Sequence, residues 1–314
     1  MNRTRLPILP LSLFLLSIFD PGYSAMAQSQ TAVFPGLPMR SKFVSASFGR
    51  GRGPAPKQGF TTLSYPGSIY TVAYGINNSG DIVGTYVSGS GSQNGFVYSK
   101  GKYAKIVDPE CNYLLAAGIN DSREVVGWCG SQAFTYTSGV FSLLNYPGAT
   151  VTLANGINTQ GDVVGVYDDE NGEQHGFLYS GGVFTDIDPP GATTTLAVGI
   201  NSAGEIVGAF DGGGYNGGFT YLNGTYNNVN YPGALSQIFG INTQGDLAGN
   251  RTLSSGGAAD FVYSTAGQKF LGFDLYNSTD SSADGINDNC AIVGYYTVGT
   301  TFYGYYVPRK SCPQ

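Results

Sequence analysis

The sequence contains very little histidine and few charged residues. One of its 314 residues is histidine (His175), and 11% of the residues are charged. A single histidine excludes a zinc site with several histidine ligands and disfavours a Ser-His-acid triad. Almost no segment shows the 3.6-residue apolar period of an amphipathic helix. The abundant residues are Gly (48), Tyr (23) and Phe (18), a composition typical of an all-β protein.

The first 27 residues differ from the rest of the chain. They contain Arg3 and Arg5, an apolar run over residues 6–19 and a small-residue cleavage signal at residues 25–27. This order predicts a secretory signal peptide over residues 1–27, with a retained membrane anchor as the alternative. No lipid-attachment cysteine follows the apolar run, which disfavours a lipoprotein. We expect a secreted or periplasmic protein with no membrane span after cleavage.

The charge of the chain is divided unevenly. Residues 28–59 are rich in Gly, Pro and basic side chains, which predicts a flexible basic linker. Residues before 60 include seven basic and one acidic residue, whereas residues 60–314 include eight basic and 20 acidic residues. Because an acidic body repels phosphate backbones, nucleic acid is not an expected partner.

A ten-residue pattern that begins and ends with glycine recurs along residues 60–314. The clearest copy is Gly-Ile-Asn-Ser-Ala-Gly-Glu-Ile-Val-Gly at residues 199–208, and the six copies begin at Gly75, Gly118, Gly156, Gly199, Gly240 and Gly285. They are 38 to 45 residues apart, which is the period of a β-propeller blade built from four short strands. We therefore predict an all-β, six-bladed β-propeller with four strands per blade, and a monomer.

The two ends of the repeat region predict how the ring closes. After the sixth copy the chain has segments for strands two and three (291–297 and 303–307) but none for strand four. Residues 60–65 form an extra strand before the first copy. An N-terminal strand that completes the last blade would leave no open sheet edge between blades one and six.

Each copy contains a tight hairpin between strands one and two, such as residues 158–162 (Asn-Thr-Gln-Gly-Asp). We interpret the recurring Asn as a turn residue and the recurring acid as a turn residue that faces water. Pro-Gly crossovers between blades lie at the other end of strand one, on what we call the upper face, and the hairpins lie on the lower face. The asparagines are Asn77, Asn120, Asn158, Asn201, Asn242 and Asn287, and the acids are Asp81, Glu124, Asp162, Glu205 and Asp246.

Strand direction also predicts two disulfides. Cys111 lies in an upper crossover and Cys129 lies where strand two reaches the upper face. Cys290 lies in a lower hairpin, and Cys312 follows strand three as it reaches the lower face. Four cysteines allow three connectivities, of which this layout favours Cys111 with Cys129 and Cys290 with Cys312. Disulfides are consistent with an exported protein.

The repeats resemble a known family. The elements Gly-Ile-Asn, Gly-Asp-Ile-Val-Gly, Asp-x-Pro-Gly and His-Gly-Phe, the last at residues 175–177, are similar to the HAF repeats of bacterial extracellular proteins. The resemblance covers about residues 60–307 and implies an exported bacterial repeat protein without catalytic residues to transfer. Five of the six copies lack the histidine of the tripeptide, so the resemblance implies no role for this histidine that all six blades share.

The residue before the repeated glycine is expected near the central channel, and it varies from blade to blade. We single out Tyr74, Asn155, Phe239 and Asp284 as candidate ligand-binding residues at the channel mouth. Two functions remain open. One is a binding or scaffold module for carbohydrate or another extracellular protein, and the other is a carbohydrate-active lyase or hydrolase that uses Asp284 with a neighbouring acid or tyrosine at the top of the channel.

The loop between strands two and three of the third blade is rich in carboxylates. Oxygen ligands suit Ca²⁺, so Asp168, Asp169, Glu170 and Glu173 are candidate metal ligands, although their spacing is not that of a known calcium loop and a solvated acidic tip is the alternative. No cofactor is otherwise expected. Loop tyrosines that could stack on sugar rings, or could simply fill sheets, are Tyr70, Tyr113 and Tyr215.

Overall fold

The computed structural model describes residues 59–254, 257–273, 275, 278 and 280–308, with Tyr215 described by its backbone alone. The predicted signal peptide, most of the linker and Cys312 lie outside this part of the chain. Within it, the structure contains no helix that is long and apolar enough to cross a membrane.

Twenty-four strands form six antiparallel four-stranded sheets, so the predicted six-bladed propeller is confirmed. Blades 1 and 2 contain β2 (Ser68–Ile76), β3 (Ile82–Ser88), β4 (Gln93–Ser99), β5 (Lys102–Ile106), β6 (Leu114–Ile119), β7 (Val125–Cys129), β8 (Gln132–Thr137) and β9 (Val140–Leu143). Blades 3 and 4 contain β10 (Val151–Ile157), β11 (Val163–Asp168), β12 (Gln174–Ser180), β13 (Val183–Asp186), β14 (Ala192–Ile200), β15 (Ile206–Gly212), β16 (Tyr215–Leu222) and β17 (Thr225–Val229). Blade 5 contains β18 (Ser236–Ile241), β19 (Leu247–Thr252), β20 (Ala258–Ser264) and β21 (Lys269–Phe273), and blade 6 contains β22 (Ser281–Ile286), β23 (Ile292–Val298), β24 (Thr301–Val307) and β1 (Thr61–Leu63).

The N-terminal strand completes the last blade, as predicted. The order in blade 6 is β1-β24-β23-β22, and β1 pairs antiparallel with β24 from Thr61↔Tyr306 to Leu63↔Gly304. The strand covers three residues rather than the six predicted. This pairing joins the first and last strands of the propeller in one sheet and gives blade 6 four strands like the others.

The two glycines of the repeat are required by close backbone contacts. A Cβ atom on Gly75 would lie 2.7 Å from the carbonyl oxygen of Ala117 in the next blade. A Cβ atom on Gly84, the closing glycine of the same copy, would lie 2.0 Å from the carbonyl oxygen of Val72. No side chain fits in such a gap. Glycine is therefore required at both positions of the pattern, because main chain packs directly against main chain there.

A β-bulge precedes each repeated glycine. In blade 1 the pairing passes from Ala73↔Gly84 directly to Gly75↔Val83, which leaves Tyr74 as the extra residue. The same register shift occurs in strand one of every blade. A bulge re-aims the side chain of the extra residue, and here it fixes the residues that line the lower channel.

The space between blades is filled by aromatic and branched side chains. Strand three of each blade contributes one aromatic ring that is at most 3% exposed: Phe96, Phe134, Phe177, Phe219, Phe261 and Tyr305. These rings lie in separate clusters with Val, Ile and Leu of neighbouring blades. The core of the propeller is therefore divided into wedges between blades.

The recurring asparagines connect the blades, which the sequence analysis did not predict. In the hairpin of blade 2, Oδ1 of Asn120 accepts the main-chain N–H groups of Ser122 (3.1 Å) and Glu124 (3.0 Å), as a turn residue does. Its Nδ2 donates to the carbonyl oxygen of Asn158 in blade 3 (3.2 Å). All six asparagines donate in this way to the next blade at 3.0 to 3.4 Å, and Asn287 donates to Asn77 across the closure. The asparagines form a continuous ring of hydrogen bonds at the lower face, hereafter the Asn ring.

The recurring acids support the Asn ring, and the expectation that they face water is wrong for at least two of them. Asp81 and Asp246 are each 2% exposed. Asp81 accepts the Nδ2 hydrogen bond of Asn77 (3.4 Å) and a bidentate pair from Arg123 of the next blade (2.7 and 3.0 Å). Arg123 stands where four other copies have the turn glycine, so this substitution adds a contact between blades.

One predicted disulfide is confirmed. Cys111 and Cys129 are bonded, with a Cα–Cα distance of 5.9 Å. Cys290 is fully buried in its hairpin and is disulfide-bonded. Because Cys312 lies outside the described residues, its pairing with Cys290 stays a prediction.

A peptide map under non-reducing conditions tests that pairing. We expect the peptides that contain Cys290 and Cys312 to elute as one cross-linked species that reduction separates. Recovery of either cysteine in a peptide linked to Cys111 or Cys129 would overturn the predicted layout of the C-terminal segment.

Substitution of Asn287 by Asp tests the Asn ring. Asp retains the oxygen that accepts the turn N–H groups but lacks the amide that donates to Asn77. Ala291 takes the place of the acid that follows the asparagine by four residues in the other copies, so the new carboxylate does not face an acid at that position. We expect a loss of about 1–3 kcal/mol in the free energy of unfolding, measured by chemical denaturation. Asn289→Asp adds the same charge at an exposed position of the hairpin and should unfold like the parent; equal losses in both variants would refute a closing role.

Candidate functional site

Three tiers of residues, on the innermost strands or directly before them, follow the central channel, because residues two apart on a strand share a face. The upper tier is Tyr70, Tyr113, Val151, Thr194, Leu235 and Asp280, the middle tier is Val72, Leu115, Leu153, Leu196, Gln237 and Ser282, and the lower tier is Tyr74, Ala117, Asn155, Val198, Phe239 and Asp284. Most apolar members of these tiers belong to one core cluster. The channel is therefore a packed core over most of its length.

The structure brings the four predicted ligand residues together, but not at the upper mouth of the channel. Tyr74, Asn155, Phe239 and Asp284 line one cavity with Leu115, Ala117 and Val198. They come late in strand one, near the hairpins, so the cavity lies in the lower half of the channel. The prediction of a site at the top of the channel is wrong for these residues, because strand one runs downward and the bulge comes after its midpoint.

The size of this cavity limits what it can hold. Its volume is about 30 Å³, room for about two water molecules. Tyr74, Phe239 and Asp284 are 5%, 3% and 6% exposed, and the leucines of the middle tier close the channel above them. A sugar ring does not fit in this space.

Asp284 supplies the one carboxyl group among the residues that line the cavity. Its Oδ1 accepts a hydrogen bond from the hydroxyl of Ser282, whereas Oδ2 is buried and has no hydrogen-bond partner among the described residues. Burial, opposed by the Ser282 hydrogen bond and reinforced by the charge of Asp260, raises the pKa of Asp284 well above its ordinary value. The carboxyl group therefore stays protonated to a higher pH than an exposed aspartate.

Blades 5 and 6 enclose further buried polar groups that sequence reasoning missed. The hydroxyl of Tyr305 donates to Oδ2 of Asp260 at 3.0 Å, and both residues are fully buried. Asp260 stands where other blades have Gly or Ala, and Tyr305 stands where they have Phe. Burial and the nearby carboxylates raise the pKa of Tyr305 and of Tyr295. The sequence does contain a signal for this pair, because Asp260 in blade 5 and Tyr305 in blade 6 both differ from the residues at the same positions in the other blades.

The acidic loop of blade 3 is arranged differently from the predicted calcium site. Ligand atoms of Asp169, Glu173 and His175 lie within 4.8 Å of one another, whereas Asp168 and Glu170 are not part of this group. Asp169 accepts main-chain N–H groups of Asn171 and Glu173 at 2.8 Å each, which is a turn role. His175 Nδ1 lies 2.8 Å from Asp188 Oδ2, and Asp168 accepts a hydrogen bond from Gln174. The histidine that the sequence analysis set aside is thus part of the cluster.

The upper tier of the channel, hereafter the upper rim, presents side chains to solvent. Tyr113 is 41% exposed and Leu235 is 54% exposed. Tyr70 is half-buried, donates its hydroxyl to Oε1 of Gln93 (3.1 Å) and lies 6.1 Å from the ring of Phe302. Tyr215 is described by its backbone alone, so its expected sugar contact stays a prediction.

The Cys111–Cys129 disulfide supports the upper rim. Tyr113 lies two residues after Cys111, and its carbonyl oxygen accepts the N–H of Gly130, next to Cys129. Gln93 forms a parallel bridge with Tyr113, which places Tyr70 and Tyr113 on neighbouring blades beside the same buried glutamine. An exposed tyrosine is therefore held on a cross-linked segment.

No protein-family profile and no curated protein sequence matches this chain. Solved structures do resemble it. TolB from Acinetobacter baumannii aligns with a TM-score of 0.53 and 10% identity, over 78% of this chain and 66% of the TolB chain. AofleA from Arthrobotrys oligospora aligns with a TM-score of 0.51 and 11% identity, over 80% of this chain and 87% of that chain. A point mutant of Aleuria aurantia lectin in complex with alpha-methyl-L-fucoside aligns with a TM-score of 0.47 and 10% identity, over 80% and 99% of the two chains.

The shared feature is the β-propeller fold. At these identities the likeness shows the fold alone, since unrelated functions occur on one propeller architecture. The chain also spans slightly less than two thirds of the TolB chain that it matches. Resemblance to the HAF repeats stays a prediction.

Substitution of Asp284 by Asn tests the electrostatics of the lower cavity. Because the folded state holds a proton that the unfolded chain releases above about pH 4, this group makes stability fall as pH rises from that value toward the raised pKa. Asn removes the ionisation. In metal-depleted buffer at pH 8 we expect Asp284→Asn to be more stable than the parent by about 1–3 kcal/mol, with a smaller difference at pH 5.

Glu170→Gln, which removes an exposed carboxylate, is the control and should keep the parent's pH dependence. Chemical denaturation at both pH values measures the difference. A stability gain in Asp284→Asn that was equal at pH 5 and pH 8 would show that ionisation of Asp284 is not its cause.

Proposed function

We propose that this protein is an exported binding module whose upper rim contacts extracellular carbohydrate. The observation that carries the proposal is the exposed ring of Tyr113 on a disulfide-supported segment above a closed channel. A flat aromatic face packs against the apolar C–H groups of a sugar, and its hydroxyl bonds sugar oxygens. The disulfide also supports residence outside the reducing cytoplasm.

Further polar and apolar groups on the upper rim suit such a ligand. Tyr70 and Phe302 are half-buried beside one another, and Asp280 and Thr194 are half-buried members of the same tier. Carboxylate and hydroxyl groups bond sugar hydroxyls, whereas exposed Leu235 adds apolar surface. The arrangement offers binding groups over a broad opening rather than a deep pocket.

A carbohydrate-active enzyme is the less favoured alternative. It requires two titratable groups within reach of one substrate atom. Asp260, Asp284 and Tyr305 provide titratable groups near one another, but they are at most 6% exposed and the adjoining cavity has room for about two water molecules. A substrate could not reach these buried groups, so binding at the upper rim is favoured over catalysis in the channel.

A glycan and cell-wall polysaccharide binding screen tests the proposal, with Tyr113→Ala as the decisive variant. We expect at least one glycan to bind the parent and its affinity to fall about tenfold in Tyr113→Ala, because loss of one stacked aromatic contact costs about 1.4 kcal/mol. Tyr113→Phe should retain most of the affinity. Leu143→Ala, which truncates a 69% exposed side chain on an outer strand, should bind like the parent.

Two results would contradict the proposal. One is the absence of binding to any glycan in the screen, and the other is unchanged affinity in Tyr113→Ala. Binding of an extracellular protein in place of a glycan would support a scaffold function.

A further inference from the structure

Charged side chains are divided unequally between the two faces of the propeller. The crossovers, the loops between strands two and three and the residues that flank these loops form the upper face. Its described acids are Asp108, Glu110, Asp168, Asp169, Glu170, Glu173, Asp188, Asp211 and Asp280. The one described Lys or Arg of this face is Arg251, which lies over the ring of Tyr231. Lys100, Arg123 and Lys269 lie in or beside the lower hairpins, so the strongly negative field belongs to the upper face.

One of these carboxylates lies beside the exposed tyrosine of the upper rim. Glu110 is exposed and comes three residues before Tyr113, on the segment that the Cys111–Cys129 disulfide holds. The main-chain N–H of Glu110 donates to Oδ1 of Asp108 at 3.0 Å, which fixes the turn. The same cross-linked segment therefore presents an aromatic ring and carboxylates.

A second carboxylate belongs to the upper rim itself, on the side of blade 6. The carbonyl oxygen of Asp280 accepts the N–H of Thr297 at 2.9 Å, and Thr297 pairs with Phe302 on the neighbouring strand. Phe302 lies 6.1 Å from the ring of Tyr70 in blade 1. Oδ1 of Asp280 accepts the N–H of Ala258 at 3.0 Å, which holds the side chain at the boundary of blades 5 and 6. Carboxylates and aromatic rings are the groups that attract an ammonium ion.

A buried amide between the two rim tyrosines has a donor without an acceptor. Gln93 is 1% exposed, bonds the hydroxyl of Tyr70 through Oε1 and bridges to Tyr113 through its main chain. Its Nε2 is buried and has no hydrogen-bond partner among the described residues. An unpaired buried donor is costly, so an oxygen acceptor from water or a ligand is expected beside these rings. Sugars supply such oxygens, whereas the charged groups of a basic peptide are donors only.

We propose that the glycan bound at the upper rim carries free amino groups, as a polymer of unacetylated amino sugars does. This inference rests on the proposed carbohydrate-binding function and narrows its ligand. Glu110 and Asp280 attract the ammonium groups, and Tyr113 packs against a sugar ring. The negative field of the upper face repels glycans that carry uronate, sulfate or phosphate groups.

Two hexasaccharides that differ only in acetylation test the inference. A β-linked glucosamine hexamer and its fully N-acetylated counterpart are titrated into the mature full-length protein by calorimetry. The buffer is at about pH 6, where amines are protonated and exposed carboxylates are ionised. We expect the glucosamine hexamer to bind about tenfold more tightly at low salt, and to lose this advantage at high salt because exposed ion pairs are screened. A galacturonate hexamer should not bind.

Single charge-removing variants locate the effect. Glu110→Gln changes an exposed side chain, and Asp280→Asn keeps the oxygen that accepts the N–H of Ala258, so both should fold like the parent. Each should weaken binding of the glucosamine hexamer about threefold and leave binding of the acetylated hexamer unchanged. Glu124→Gln removes the same charge at the lower face and should leave both affinities unchanged.

Four results would overturn the inference. They are equal affinity for the two hexamers, binding of the galacturonate hexamer, equal effects of Glu110→Gln and Glu124→Gln, and binding of hexalysine as tight as that of the glucosamine hexamer. The last result would indicate a basic peptide as the partner. If neutral glycans bind equally well and Tyr113→Ala weakens that binding, carbohydrate binding stands and the selectivity for amino groups alone fails.

Discussion

Close contact between the main chains of neighbouring blades determines the dimensions of this propeller. At each repeated glycine the Cα lies against a carbonyl oxygen from the next blade, and a Cβ atom there would come within about 3 Å of that oxygen, as it would at Gly75 and Gly156. This approach brings the innermost strands close to the axis. Val72, Leu115, Leu153 and Leu196 then fill the middle of the channel. Because of these glycines the channel is narrow and packed. A ligand larger than a few water molecules must therefore bind at an outer face of the propeller.

The Asn ring also holds neighbouring blades together, at the lower face of the propeller. The Oδ1 of each asparagine accepts main-chain N–H groups of its own hairpin, and its Nδ2 donates to a carbonyl oxygen of the next blade. One residue type therefore stabilises both a turn and a contact between blades. The bond from Asn287 to Asn77 joins residues 210 positions apart and acts together with β1 at the closure. A change in one hairpin therefore affects both its turn and its neighbour, which explains why the pattern recurs in all six blades of one chain.

The sequence predicted the local features of the fold well, because strands and turns depend on neighbouring residues. The spacing of the ten-residue pattern predicted six blades, and the hairpins and Pro-Gly crossovers gave the strand directions that predicted the Cys111–Cys129 bond. The depth of Tyr74 and Asp284 in the channel could not be predicted in the same way. It depends on how far strand one runs before its bulge and on which side chains of other blades fill the space above.

The inter-blade bond of each asparagine was also missed, because a turn role already explained its recurrence. In the acidic loop the sequence predicted more ligands than the structure brings together. Its number of carboxylates suggested four ligands, whereas the hairpin separates Asp168 and Glu170 from Asp169, Glu173 and His175. Alternation of side chains across a two-stranded ribbon, rather than composition, decides which of them meet.

Departures from the repeat differ in whether a neighbouring residue compensates for them. Cys129 replaces a tyrosine that stacks on the crossover in blades 1 and 3, and its bond to Cys111 ties the crossover instead. Arg251 occupies the same position in blade 5 and lies over the ring of Tyr231. Asp260 is matched by the hydroxyl of Tyr305. Each of these changes is explained by packing within the protein.

Two other departures have no such compensation. Oδ2 of Asp284 ends in a cavity without a partner among the described residues, and the ring of Tyr113 extends into solvent from a cross-linked segment. A buried unpaired acceptor costs stability, and the raised pKa of Asp284 reduces that cost by keeping the carboxyl protonated, whereas a single exposed aromatic ring is common on protein surfaces. Val198 and Val151 occupy the corresponding positions in other blades, so the fold itself does not require a carboxyl group or a tyrosine there.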